Sequence, residues 1–190
     1  MKKLIIVLFL TLKAYGSDTQ HVPLKPVVKE LGMTDIKSYS LRAPDDSLIC
    51  SLVTSPGGTF NIFDSPAFQQ IDTSTLPPSV LHLITAVKAI KEKFDLNQIV
   101  IIGDLYVQPI HRGKGHAGHL LQETCTHLLN SDNTKTVVLI PDPFEYENGA
   151  QITLDDNDKK LKLMKLYQRC GFKNSEEKIP SFMYLNRANS

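Results

Sequence analysis

Asp104-Leu-Tyr-Val-Gln-Pro-Ile-His-Arg-Gly-Lys-Gly-His-Ala-Gly-His-Leu-Leu121 is the stretch on which the reading of this chain turns. Its left end continues an apolar run, Ile99 to Ile102, that reads as a strand over 98–107 ended by Pro109. Its right end opens a helix near Gly113–Gly115. The apolar stripe of that helix is Ala117, Leu120, Leu121, Cys125, Leu128 and Leu129, and Asn130 to Thr134 breaks it. The first turn of a helix has N–H groups without intrahelical partners and a partial positive charge. Glycine lets a bulky anion approach the backbone, and Arg112 and Lys114 add formal charge. Strand, glycine-rich turn and helix start, in that order, read as a phosphate-binding site.

Three phosphate-binding designs compete for this turn. A P-loop needs G-x-x-x-x-G-K-[ST], and Lys114 is followed by Gly115, so that pattern fails. Gly113-Lys-Gly115-His-Ala-Gly118 does spell the dinucleotide fingerprint G-x-G-x-x-G, and Asp142 follows the next strand roughly where a ribose-binding acid would stand. Against it, five residues, Gln108 to Arg112, separate strand from glycines, and too little chain follows for the remainder of such a sheet.

The third design accounts for those five residues. Val107-x-Pro109-x-x-Arg112-Gly113-x-Gly115-x-Ala117 resembles the acetyl-CoA signature of the GNAT superfamily of N-acetyltransferases, R/Q-x-x-G-x-G/A. Leu166-Tyr167-Gln-Arg-Cys-Gly171-Phe172 resembles the helix-to-strand ending of the same family, and the resemblance covers roughly residues 98–185. It implies an α/β fold with a mixed central sheet and helices on both faces. It implies that acetyl-CoA, as co-substrate, lays its pyrophosphate on the backbone of Arg112, Gly113, Lys114, Gly115, His116, Ala117 and Gly118. The pantetheine arm would then pair with Leu105, Tyr106 and Val107, in a cleft where this strand splays from the run Thr136–Ile140. The chain departs from the family pattern in three places. Lys160 stands where an asparagine is frequent, a long acidic segment replaces a short link, and a helix at 79–94 stands where many relatives have a direct hairpin.

The implied reaction is attack of a primary amine on the acetyl thioester. A lysine-like amine of pKa about 10.4 is protonated at pH 7, and deprotonating it costs roughly 4–5 kcal/mol, so a base or a desolvating cleft is needed. Asp104, on the strand, is the candidate base or substrate ligand. Tyr167 resembles the family's general acid, which would protonate the leaving thiolate; packing at the helix end is its alternative. A GNAT-shaped module that binds acyl-CoA or a partner without turnover is the second functional reading.

Outward from this region, Ser79 can cap a helix to about Phe94, because Val80, Leu83, Ile84, Val87 and Ile90 recur at helical spacing. Runs 47–53 and 59–63 around Ser55-Pro56-Gly57-Gly58 read as two strands joined by a turn. Residues 64–78 read as a loop. Thr136 to Ile140 is a buried strand, 141–158 an acidic loop, 159–169 a helix stopped by Gly171, and 182–185 a last strand. From residue 98 the alternation of strand and helix argues an α/β class, at least locally parallel.

The 190 residues suit one domain, taken as 17–190, with 42% hydrophobic and 22% charged residues. A net charge of +1 gives no argument for nucleic acid as a partner. The acidic segment could instead meet a cationic amine. Cys50, Cys125 and Cys170 are odd in number and without CxxC spacing, so buried thiols are expected rather than disulfides or a zinc site. His116 and His119 are three apart on a helix, but no acid with metal-ligand spacing joins them, and no metal is expected. Lys2, Lys3, the run Leu4–Leu12 and Ala14-Tyr15-Gly16 follow the order of a secretory signal over 1–16; a buried first strand is the alternative. That run is too short to span a bilayer. An exported acetyltransferase would need to reach a second cytosol to find its donor; otherwise the chain is cytoplasmic.

Overall fold

The computed structural model describes residues 26–30, 35–66, 78–131, 133–147, 150–153, 156–175 and 181–188, with single positions at 70, 72, 74 and 76. The secretory segment expected at 1–16 lies outside them, as does part of the loop expected at 64–78.

A seven-stranded mixed sheet forms the centre, in the order β1-β2-β3-β4-β5-β9-β8. β1 (Val27–Glu30), β2 (Lys37–Arg42), β3 (Leu48–Pro56) and β4 (Ile99–Val107) pair antiparallel in sequence. β5 (Thr136–Leu139) then lies parallel to β4, as the strand–helix–strand order requires. β9 (Met183–Asn186) and the two-residue β8 (Lys173–Asn174) complete the sheet antiparallel to β5. The α/β class and the mixed sheet expected from sequence are therefore present.

Helices cover both faces. The pleat sends successive side chains of β4 and β5 to opposite sides. Ile102, Val137 and Leu139 join Leu120, Leu121, Met164 and Tyr167, so α2 (His116–Leu129) and α3 (Asn157–Arg169) cover one face. Ile99, Ile101 and Val138 join Val87 and Ile90 of α1 (Pro78–Lys93), with Phe60, on the other. β4 and β5, buried on both faces, are near-continuous runs of Val, Ile and Leu for that reason.

Three expectations need correction. The run at 59–63 is not a strand: Gly57–Asp64 is a 3₁₀ segment. β3 continues through Pro56, which pairs with Val100, so no hairpin turn exists at 55–58. A Cβ on Gly57 would sit 2.4 Å from the Leu96 carbonyl oxygen and 2.4 Å from Ile99 Cγ1. That glycine serves a close approach of the chain to the start of β4. Phe60 is buried while Ile62 is 64% exposed, an uneven burial that fits one-sided packing of a short helical segment. Second, the acidic loop contains a separate hairpin, β6 (Phe144–Glu147) with β7 (Ala150–Thr153), and α3 begins at Asn157. Asp156 caps that helix by accepting the Lys159 N–H at 2.9 Å. Third, β1 and β2 occupy a stretch that reads as polar and irregular. Tyr39 and Leu41 are fully buried there, between more exposed neighbours at Ser38 and Arg42.

Candidate active site

The ladder between β4 and β5 ends at Ile102 opposite Leu139. β4 continues for five residues, whereas the other chain runs into Ile140-Pro141-Asp142-Pro143, where two prolines lack the N–H that a ladder needs. The Asp142 N–H closes on the Ile140 carbonyl at 2.9 Å, turning the chain away. Past Ile102, β4 therefore has no strand partner on that edge among the described residues, which leaves a split beside Gly103–Val107.

β4 is also bulged there. Ser51 faces Tyr106 and Val53 faces Gly103, so Leu52 alone opposes both Asp104 and Leu105. Asp104 takes the left-handed conformation, φ 47°, as the extra residue. Ile99, Ile101 and Ile102 are buried, whereas Gly103 is exposed and residues 104–107 are all half-buried.

Beyond β4 the link is compact. The Gln108 N–H donates to the Ile49 carbonyl at 3.0 Å, and Pro109–His111 form a 3₁₀ turn. Arg112 donates its Nε–H to the Val107 carbonyl at 3.2 Å, folding the link back on the strand end. Gly113 (φ 77°) and Gly115 (φ 84°) are left-handed, and a Cβ on either would meet nothing within 4 Å, so both backbones face open space.

Gly115 is the N-cap of α2, and no side chain caps that end. The first intrahelical bond runs from the His119 N–H to the Gly115 carbonyl at 3.1 Å. The N–H groups of His116, Ala117 and Gly118 precede it and point off the helix end. Lys114 is exposed beside them, and the His111 and His116 rings lie 6.0 Å apart. Burial first, then the positive neighbours His111, Lys114 and His119, lower the His116 pKa. This end of α2 is thus fixed, cationic and open.

Neighbouring cysteines brace the site. Cys50 Sγ is 3.7 Å from the His116 carbonyl, and Cys170 Sγ is 3.9 Å from the Gly118 carbonyl, each placed to donate weakly. Leu166 Cδ1 would lie 3.6 Å from a Cβ on Gly118, which sets how closely α3 packs on α2. Burial pushes the Cys50 and Cys125 thiols up to about 12, so both are protonated packing groups, as expected.

Tyr167 is buried, 6% exposed, with Phe172 at 6.2 Å. Burial first, then the Asp142 carboxylate and Cys170, raise its hydroxyl pKa well above the usual tyrosine value. The group is protonated at neutral pH and has a proton to give.

A second cluster escaped sequence reading. Lys160 Nζ is 3.3 Å from Asp142 Oδ1, His82 Nε2 is 3.4 Å from the same oxygen, and Lys160 Nζ is 3.4 Å from His82 Nε2. The three come from α1, the loop after β5, and α3. Asp142 and Lys160 each stand out in the sequence for other reasons, but nothing there joins them, and a lone histidine on an amphipathic helix carries no signal of its own.

Among the described residues, no group of three His, Cys, Asp or Glu is arranged to hold a metal ion, and no helix is long and apolar enough to cross a membrane.

No family model matches the chain, and neither does any curated protein. Among solved structures, it is similar to a mutant spermidine N-acetyltransferase from Vibrio cholerae, with 13% identity over 82% of this chain and 67% of that one, at a TM-score of 0.45. It is also similar to a GNAT family N-acetyltransferase from Escherichia coli in complex with CoA, with 16% identity over 80% of this chain and 59% of that one, at a TM-score of 0.42. These overlaps are partial.

Proposed function

We propose that this chain is a GNAT-type N-acetyltransferase that moves an acetyl group from acetyl-CoA to a primary amine. The supporting observation is the conjunction of the open β4–β5 cleft with an uncapped, cationic helix start at the far end of the same strand. The diphosphate lies on the N–H groups of residues 113–118, where Gly113 and Gly115 leave room for it. Arg112 and Lys114 add charge. The pantetheine arm runs back along Val107, Tyr106 and Leu105. That length of strand, about 13 Å from Val107 to Gly103 at 3.3 Å per residue, brings the acyl end to the split at Ile102 and Leu139.

There the amine attacks the thioester carbon; the N–C bond forms, the C–S bond breaks, and the electron pair goes to sulfur. Tyr167 donates its proton to the departing thiolate. Asp104, at the bulge beside the split, is a ligand or base for the incoming ammonium. Burial of Tyr167 in the core favours a second reading, an acyl-CoA-binding module in which that ring only packs. Incubation with acetyl-CoA and a panel of amines, reading free thiol, separates the two. Thiol release that depends on the amine supports the enzyme; release no faster than in buffer with every amine supports the module.

Coenzyme binding should depend on pH. An anion beside His116 favours its imidazolium form, so binding takes up a proton at a ring that is otherwise neutral. Affinity for acetyl-CoA is therefore expected to rise severalfold as pH falls from 8 to 6, by at most about tenfold per pH unit for each proton bound. Calorimetric titration at several pH values reads this, and His116→Gln should flatten the curve.

A further inference from the structure

We infer that His82 is the proton acceptor of the acetyl transfer, with Lys160, itself held by Asp142, packed against its Nε2; this rests on the acetyltransferase reading above. The cluster stands at the right place. Asp142 is three residues past Leu139, where β5 leaves β4 and where the acyl end of the coenzyme arrives. Lys160 precedes Tyr167 by seven residues, nearly two helical turns, so both side chains leave α3 on one face. The Asp142 carboxylate, after burial, also helps to raise the Tyr167 hydroxyl pKa, so the two groups lie near one another.

The arrangement suits a base. The Lys160 ammonium can only donate, so its 3.4 Å contact makes His82 Nε2 the nitrogen with the lone pair, and an incoming ammonium can take the place of Lys160 there. The ring is 31% exposed, so an amine can reach it. Among the described residues, the charges facing His82 are Asp142 from the loop after β5 and Lys160 from α3, with Tyr167 behind Asp142. On α1 itself, the positions three and four residues away, Pro78, Ser79, Thr85 and Ala86, carry none.

The acceptor ammonium loses two protons. His82 takes the first before attack and releases it to solvent. The second leaves nitrogen as the tetrahedral adduct collapses and replaces the proton that Tyr167 gives to sulfur. Asp104 is then left as a ligand of the ammonium.

The test is the pH profile of kcat/KM for the amine in the full chain. His82→Gln is expected to lower kcat/KM by roughly 10²–10⁴ at pH 7, with KM for acetyl-CoA unchanged and the acid limb lost. Added imidazole should restore part of the activity of His82→Gly. Lys160→Met and Asp142→Asn are expected to lower kcat/KM in the chain that has His82 and to add little in His82→Gln, as groups acting through one base require. A wild-type chain that turns over normally, beside a His82→Gln variant with the same rate and profile, overturns this inference alone. So do Lys160 and Asp142 variants whose effects persist in full in the His82→Gln chain. A wild type inactive with every amine overturns the acetyltransferase reading as well.

Discussion

Gly115→Val is expected to weaken acetyl-CoA binding by about a hundredfold or more. Gly115 sits at φ 84° with open space around any added Cβ, so the damage comes from the backbone rather than from a clash. A β-branched residue in the left-handed region costs on the order of 1–3 kcal/mol. The chain relieves that strain by rotating the peptide that caps α2. The N–H groups of His116 and Ala117 then turn from the anion, and losing two charge-assisted hydrogen bonds at about 1.5–3 kcal/mol each accounts for the drop. Calorimetry on Gly115→Val beside Gly58→Val makes the comparison, since a Cβ on Gly58 also meets nothing within 4 Å but no left-handed φ is imposed there. Gly58→Val should bind as the wild type does. Equal affinity in Gly115→Val would show that the anion lies elsewhere.

The second large effect is on turnover. Tyr167→Phe is expected to lower kcat about tenfold or more and to leave acetyl-CoA affinity unchanged. The ring keeps its contact with Phe172, so folding is preserved; only the protonated hydroxyl goes. Tyr167→Ala differs in kind: it empties a core position that is 6% exposed and should cost about 3–5 kcal/mol of stability. Steady-state kinetics with thermal unfolding on both variants distinguishes the two roles. A Tyr167→Phe variant with wild-type kcat would leave the tyrosine a packing residue.

How much of this could be read beforehand follows from where the determinants lie. β4, the glycine turn and α2 were legible because local chemistry specifies them: an uninterrupted apolar run, a proline stop, and glycines that the structure holds at φ 77° and 84°. Residues 105–107 and 112–118 are consequently close in sequence, on a strand end, a short link and a helix start. β1 is an edge strand whose Val27 and Val28 remain 40% and 46% exposed, so no burial pattern marks it. β2 alternates only through Tyr39 and Leu41, too few positions against the prolines around them. At 59–63, Thr59, Phe60, Ile62 and Phe63 could be strand or helix, and Gly57's approach to Ile99 decided the matter through a tertiary contact. The bulge at Asp104 depends on its pairing with β3. The His82 cluster was the least accessible, since 78 residues separate His82 from Lys160 and only the packing of α1 and α3 around the end of β5 unites them.

The account stands or falls on backbone amides at the start of α2 holding a diphosphate beside an open strand edge. Recording amide ¹H–¹⁵N spectra of the isotopically labelled chain during titration with acetyl-CoA addresses that directly. Saturable shifts should be largest at Gly113, Gly115, His116, Ala117 and Gly118 and extend to Leu105, Tyr106 and Val107. A saturating titration that leaves those amides unmoved, or moves a different surface instead, would contradict it.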